Sequence, residues 1–146
     1  MENDEFQTFK TNRRFLKRYR KSLAKIDRLK DRLFDINEKI NKIKSPNFSG
    51  MPKGGTPPSL AEMISDKIEL EERIQRQTEK SREIRREVLE KIDDLEDELQ
   101  AEVLEAFFIQ SSELSEIADQ LGYSERYIAS IYSAGIKAVQ LDNTFL

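Results

Sequence analysis

Apolar residues recur through the first third of the chain at gaps of three and four residues. This spacing follows the period of an amphipathic α-helix and is close to the heptad seam of a coiled coil. The stripe consists of Leu16, Tyr19, Leu23, Ile26, Leu29, Leu33, Ile36, Ile40 and Ile43. The pattern predicts one helix from Thr8 to Lys44.

A second apolar stripe begins after Ser59 and Glu62, whose spacing is that of a capping box at a helix N-terminus. Its members are Leu60, Met63, Leu70, Ile74, Ile84, Val88, Ile92, Leu95, Leu99 and Val103. Lys67, Gln77 and Ser81 interrupt the seam, and polar seam residues lower stability but fix alignment or oligomer number. A further helix over 101–110 is expected to cap a bundle at the carboxyl end.

The segment between the stripes is rich in proline and glycine. Within residues 45–58 lie Pro46, Pro52, Pro57, Pro58, Gly50, Gly54 and Gly55. Such a segment cannot continue a helix, so it is predicted to be a linker. Neither stripe can be left facing water, and we expect the two helices to fold back as a long antiparallel, coiled-coil-like hairpin. The hairpin closes within one chain or by exchange of helices between chains.

A third pattern, near the carboxyl end, has the spacing of a helix-turn-helix. Its six positions are Ile117, Ala118, Leu121, Gly122, Ile128 and Ile131. Ala118 lets two helices cross closely, and Gly122 can take the positive φ of the turn. Ser124 can accept a hydrogen bond from the first N–H groups of the second helix. The predicted fold is therefore all-α, with a stalk over 1–100 and a small helix-turn-helix bundle over 101–146.

Charge is strongly patterned although the net charge is only −3. Lys10–Arg32 contains eleven Lys or Arg and two Asp, whereas Glu83–Asp119 contains thirteen acidic and three basic residues. These blocks would meet in the hairpin, where each exposed pair is worth only about 0–1 kcal/mol and mainly selects the pairing direction. The alternative use of the basic block is phosphate binding, and both uses could coexist. The candidate phosphate contacts are Arg13, Arg14, Lys17, Arg18 and Lys21.

The residue types needed for most catalysis are missing from the sequence. It has no His, no Cys and no glycine-rich phosphate loop between a strand and a helix, so we expect no enzyme and no cofactor. The acidic residues at 93, 94, 97 and 98 spread around a helix, which favours a solvated face over a metal site. No apolar run suits a bilayer span or a signal peptide. We expect a cytoplasmic protein with no membrane partner.

In a helix-turn-helix the second helix usually enters the major groove of double-stranded DNA. The residues predicted to face DNA are Ser124, Glu125, Arg126, Ala129, Ser130 and Ser133, with Tyr127 and Lys137 near the backbone. Arg126 suits the O6/N7 edge of guanine, and Glu125 suits a cytosine amine. Because this segment carries more acid than base, tight binding is expected to need a homo-oligomer (a dimer or tetramer), help from the basic first helix, or tethering by another protein. The alternative is a three-helix bundle that only packs or contacts protein.

The run Glu116–Ile128, EIADQLGYSERYI, resembles region 4 of sigma-70-type factors, whose pattern is approximately E-I-A-x-x-L-G-x-S-x-x-x-V-x-x-I. The whole arrangement resembles small phage-encoded regulators of the ArpU/RinA type, in which a helical amino-terminal part precedes a sigma-like helix-turn-helix. The resemblance implies an activator of late phage genes in the host cytoplasm. The acidic surface near Glu83–Glu105 is consistent with a contact to RNA polymerase as well as DNA. Ala129 and Ser130 depart from the sigma pattern on the reading face. Gly135 stands where Ala is usual, which indicates either a frayed helix or a close packing contact.

Two other functions fit the same sequence features. Small terminase-like packaging adaptors also combine helix-turn-helix units with helical hairpins, but they assemble as rings of eight or more subunits. A coiled-coil bridging protein would show no DNA affinity even at low salt, where electrostatic attraction is strongest.

Overall fold

The computed structural model describes residues 2–44 and 59–145, and every regular element in that part of the chain is helical. The elements are α1 (Glu2–Leu16), α2 (Arg18–Lys44), α3 (Leu60–Asp93), α4 (Glu98–Phe108), α5 (Leu114–Leu121), α6 (Glu125–Ala138) and a short 3₁₀ turn (Asn143–Phe145). The all-α prediction is confirmed. The predicted linker over 45–58 lies outside the described residues. None of the helices described here has the length and apolar character that a bilayer span requires.

The first predicted helix starts earlier than expected and is interrupted once. It begins at Glu2 instead of Thr8, and its regular geometry lapses only at Lys17. Backbone hydrogen bonds continue across this point, from Lys17 N to Arg13 O (3.0 Å) and from Lys21 N to Lys17 O (3.1 Å). The interruption is therefore local and the helical path resumes at once.

The second predicted stripe is divided between two helices. Helix α3 starts with the predicted capping box, in which Glu62 N donates to Ser59 Oγ (3.1 Å). It ends at Asp93, and α4 begins at Glu98 after four intervening residues. The Asp97 carboxylate caps the new helix by accepting a hydrogen bond from Gln100 N (3.0 Å). An aspartate at this position satisfies a free N–H of the new helix. The helix expected over 101–110 accordingly spans 98–108.

The described residues form two compact units. The terminal unit combines residues 2–22 with 81–145, and the middle unit combines 23–44 with 59–80. The first turns of the chain thus belong with the carboxyl-terminal helices. The sequence gives no sign of this association, and the proposed boundary at residue 100 stays a prediction.

The core of the terminal unit surrounds helix α6, against which α1, α4 and α5 all pack. Its largest fully buried side chains are Phe108, Leu16, Ile92, Leu104, Ile117, Ile128, Ile136, Val88 and Val103. Phe107, Phe108 and Tyr132 form an aromatic cluster with ring centroids 4.8–5.7 Å apart. Burying each such side chain contributes about 1.5–3 kcal/mol, so α6 is firmly held on its apolar face.

Two polar contacts in the terminal unit join α2 to α3. The hydroxyls of Ser22 and Ser81 are both buried and lie 2.8 Å apart, and Arg18 Nη1 lies 2.7 Å from Glu87 Oε2. Arg18 precedes Ser22 in α2, whereas its partner Glu87 follows Ser81 in α3, so the two helices run in opposite directions here. Ser22 Oγ also donates to Tyr19 O (2.6 Å), so Ser81 is the donor between the two hydroxyls. A shifted register would leave the buried Ser81 hydroxyl without this partner, at a cost of about 1–3 kcal/mol. Ser81, one of the polar residues that interrupt the second stripe, thereby helps to align the two helices.

Candidate nucleic-acid interface

The turn between α5 and α6 is built as its residues predict. Gly122 has φ 77°, and the N–H groups of Gly122 and Tyr123 both donate to Ala118 O (2.9 and 3.0 Å). A Cβ at Gly122 would meet nothing within 4 Å, so the left-handed backbone alone calls for glycine. Ser124 Oγ accepts a hydrogen bond from Tyr127 N (3.1 Å), which fixes the first turn of α6.

Helix α6 has one buried face and one exposed polar face. Ile128, Tyr132, Gly135 and Ile136 are buried. Of the residues predicted to face DNA, the exposed ones are Ser124, Glu125, Arg126, Tyr127, Ser130 and Lys137, while Ala129 and Ser133 are half-buried. Arg126, Ser130, Ser133 and Lys137 follow one another at four-, three- and four-residue steps, so they form a single polar stripe.

The hydrogen-bonding capacity of this stripe is unequal along its length. Ser130 Oγ donates to Tyr127 O at 2.6 Å, so its hydroxyl proton is already used and its lone pairs remain. Arg126 makes no ion pair with any residue that the structure describes. Its guanidinium and the Lys137 ammonium are therefore the two cationic donors of the stripe, and only the guanidinium offers paired N–H groups.

Helix α1 lies along the carboxyl-terminal half of α6. Asn12 Nδ2 donates to Ile136 O (2.8 Å) and to Val139 O (2.9 Å), although Asn12 is more than 120 residues away in the chain. A shallow groove of about 350 Å³ between the helices is lined by Glu5, Phe6, Phe9, Ser133 and Lys137. Lys10 Nζ lies 4.7 Å from the centre of the Phe6 ring. The end of the polar stripe is thus flanked by α1, in which three acidic residues precede three basic ones.

Sequence reasoning offered the basic block for phosphate contacts but did not predict that α1 packs against α6. The available signal is that Asn12 lies four residues before Leu16, in phase with the first apolar stripe. A polar residue at such a position is expected to be buried and to need a partner. The identity of the partner, the carboxyl end of α6, could not be read from that spacing.

The five candidate phosphate contacts have different surroundings. Arg18 pairs with Glu87 and lies over the Phe15 and Phe145 rings, 5.4 and 4.8 Å from their centres. Arg13 is half-buried, and its Nε donates to the Tyr132 hydroxyl at 3.4 Å. Arg14 and Lys21 are exposed and Lys17 is half-buried, and none of the three forms an ion pair within the described chain.

The surroundings of Lys17 are unfavourable to its charge. Partial burial lowers the pKa of Lys17 below its ordinary value of 10.5, and the positive charges of Arg13, Lys21 and Arg20 lower it further. An anion placed beside these residues would be stabilised by the same field.

Only one ion pair among the described residues links the basic block to the acidic block, that between Arg18 and Glu87. Arg20 instead lies over the Phe107 ring, 4.5 Å from its centre. The expected meeting of the two blocks is thus seen at one pair. Most of the cations in the block face solvent.

The chain matches no protein-family model, no curated protein and no solved structure. Its function is therefore inferred from its own residues. In the part of the chain that the structure describes, no group of three or more acidic side chains is arranged to hold a metal ion. Asp97, from the acidic set singled out in the sequence, serves as the N-cap of α4.

Proposed function

We propose that the chain is a sequence-specific DNA-binding transcription regulator whose helix-turn-helix consists of α5, the Gly122 turn and α6. The observation that supports this most directly is the polar stripe of α6, which begins at Arg126 and is exposed while the opposite face is buried. A guanidinium can bind the O6 and N7 atoms of guanine together in the major groove, which a helix of this width can enter. Arg126 is assigned that role, and Ser130 accepts hydrogen bonds beside it.

The basic residues around the end of α1 supply the positive charge that the helix-turn-helix segment lacks. We assign phosphate contacts to Arg14 in the last turn of α1 and to Lys17 directly after it, because Arg14 is exposed, Lys17 is partly exposed, and neither has an anionic partner within the described chain. Arg18 is not assigned as a phosphate contact, because its charge is already paired with the Glu87 carboxylate. Phosphate contacts supply much of the affinity of such domains, whereas base contacts supply the specificity.

The remaining parts of the proposal concern assembly. We infer that the apolar stripes of α2 and α3 pair as an antiparallel hairpin that makes the protein a dimer or tetramer, which would set the distance between DNA half-sites. The likeness of residues 116–128 to sigma region 4, and of the whole plan to ArpU/RinA-type regulators, supports a phage-encoded activator of late genes. A contact with RNA polymerase through the acidic surface near Glu83–Glu105 is part of the same proposal.

Arg126→Ala is the test of the reading face. We expect it to weaken binding to the preferred site about 10- to 100-fold, the loss that corresponds to about 1–3 kcal/mol for one bidentate base contact. The site is first obtained by selecting random duplexes with the unmodified chain, and affinity is then measured by fluorescence anisotropy. Binding to unrelated duplexes should change much less.

Arg85→Ala is the matched control, because Arg85 is an exposed arginine of α3 outside the stripe. Equal losses in the two variants, or full affinity in Arg126→Ala combined with Ser130→Ala, would contradict the assigned face. Light scattering on the same samples separates a dimer or tetramer from the ring expected of a packaging adaptor. A complete lack of DNA affinity at low salt would favour the alternative function, a coiled-coil bridging protein.

Arg14→Gln combined with Lys17→Gln tests the phosphate contacts at the end of α1. The slope of log affinity against log salt concentration should fall by about 1.8, since each phosphate contact contributes about 0.9. The loss should be similar on every duplex. Thermal stability should not fall, because the neighbouring cations already disfavour the charge on Lys17. Lys39→Gln with Lys42→Gln removes the same charge elsewhere, and an equal change of slope in that control would refute the assignment.

A further inference from the structure

A second basic site lies in the middle unit, where α2 and α3 together line a groove of about 230 Å³. Its walls are Lys25, Leu29, Arg73, Arg76, Gln77 and Lys80. Leu29 is buried, whereas Lys25, Arg76 and Lys80 are exposed and Arg73 is half-buried. Four cations from two helices thus surround an apolar floor, and no carboxylate is part of the lining.

These four cations have no anionic partner among the described residues, where the ion pairs are Arg18–Glu87, Arg86–Glu83 and Lys91–Asp142. Like charges brought together on one surface repel each other, and an anion bound between them would replace this repulsion with attraction.

A second arginine cluster on α3 provides a contrast. Arg82, Arg85 and Arg86 line a groove in the terminal unit together with Glu90, Asp93 and Asp94. Three acids there balance three arginines within one stretch of helix. The groove of the middle unit has more cations and no acids, so its positive potential is not cancelled locally.

We propose that the groove formed by Lys25, Arg73, Arg76 and Lys80 is a binding site for phosphate groups. A guanidinium offers paired N–H donors that match two phosphate oxygens, and an ammonium adds a compact positive charge. The Gln77 amide adds N–H donors of its own. Arg28 and Arg32 follow Lys25 on α2 at steps of three and four residues, so the cationic face continues along the helix and suits more than one phosphate.

The first experiment compares inorganic phosphate with sodium chloride at equal ionic strength. Phosphate should raise the midpoint of thermal unfolding of the full chain by about 2–6 °C more than chloride does, because it binds the folded state. Amide resonances around Leu29 and Gln77 should shift with phosphate concentration. An equal response to both salts would overturn the proposal.

The second experiment uses Arg73→Gln combined with Lys80→Gln. Phosphate affinity should fall at least about tenfold, while stability without phosphate stays the same or rises because repulsion is relieved. Arg82→Gln with Arg85→Gln removes the same charge from the balanced cluster and should keep the phosphate response. Equal phosphate responses in the two double variants would overturn the proposal, as would a loss of stability that accounts for the weaker binding.

The source of the phosphate is distinguished with duplex DNA. A smaller salt dependence of DNA binding in the groove variant assigns the site to the backbone of a nucleic acid. An unchanged salt dependence together with lost phosphate binding assigns it to a free phosphate compound. Arg126→Ala should leave the phosphate response intact, so a failure of the DNA-binding proposal and a failure of this one are separable.

Discussion

Asn12→Asp is expected to destabilise the terminal unit by about 4 kcal/mol at neutral pH, which is the range for a buried charge without a partner. Asn12 is only 2% exposed, and its amide nitrogen donates to the carbonyl oxygens of Ile136 and Val139. A carboxylate in the same place could donate nothing and would face two carbonyls at the negative end of the α6 dipole. The change is small in volume, so the loss reports the hydrogen bonds and the charge.

The pH dependence of this variant has a definite sign. Burial and the two facing carbonyls would raise the pKa of the new carboxyl above its value of about 3.9 in the unfolded chain. The folded state then binds more protons than the unfolded state, so the free energy of unfolding falls as pH rises from about 4 to the raised pKa. Above that pH the loss is constant. Urea unfolding followed by circular dichroism between pH 4 and pH 8 measures it.

The control for this experiment is Asn3→Asp, because Asn3 is exposed in the first turn of α1. A negative charge there interacts favourably with the helix N-terminus, so stability should change by no more than about 0.5 kcal/mol. A loss in Asn12→Asp that is as small as in the control, or one that does not depend on pH, would show that α1 does not cap α6.

The local features of the turn could be predicted because each of them depends only on residues a few positions away in the sequence. The positive φ of Gly122 follows from its position after a helical stripe, and the cap at Ser124 satisfies an N–H three residues ahead. The exposed side of α6 can be deduced from Ile128, because residues on the opposite side of the helix from this apolar position face solvent. Helical periodicity is a short-range property, and it is therefore visible in one sequence.

The docking of α1 against α6 could not be predicted in the same way. An apolar stripe shows that a face is buried but does not say which element covers it. Leu16 belongs to the first stripe, and the structure buries it in the core around α6. The charge blocks were equally ambiguous, since opposite signs allow pairing without requiring it, and the described chain uses Arg18 and Glu87 alone.

The candidate interface was accordingly predictable in part. The positions from Ser124 to Lys137 follow from helical phase, which places Ala129 and Ser133 at the half-buried margin of the exposed face. The flank formed by α1 depends on a contact between the two ends of the chain, and a single sequence contains no measure of that distance. The same limit applies to the basic groove of the middle unit, because its cations come from helices that are far apart in sequence.

Gly135→Val is expected to destabilise the terminal unit by about 3 kcal/mol, at the upper end of the cost of overpacking a core. Gly135 is buried in α6, and a Cβ there would lie 3.2 Å from both Cγ and Cδ1 of Leu104 and 3.3 Å from Gln100 Cβ. Leu104 is itself fully buried, so it has little room to withdraw. Helix α6 continues to Ala138, which excludes fraying at Gly135 and leaves close packing as the reason for the glycine.

Two further substitutions separate the steric explanation from helix propensity. Gly135→Ala should stay within about 1 kcal/mol of the unmodified chain, because the gain in helix propensity offsets the crowding of one methyl group. Ala134→Val adds a branched side chain at the neighbouring exposed position and should cost less than about 1 kcal/mol. Chemical unfolding of the three variants measures these differences. Equal stability of Gly135→Val and Ala134→Val would contradict the close approach of α4 to α6 at Gly135. The packing of the proposed recognition helix against the core would then have to be revised.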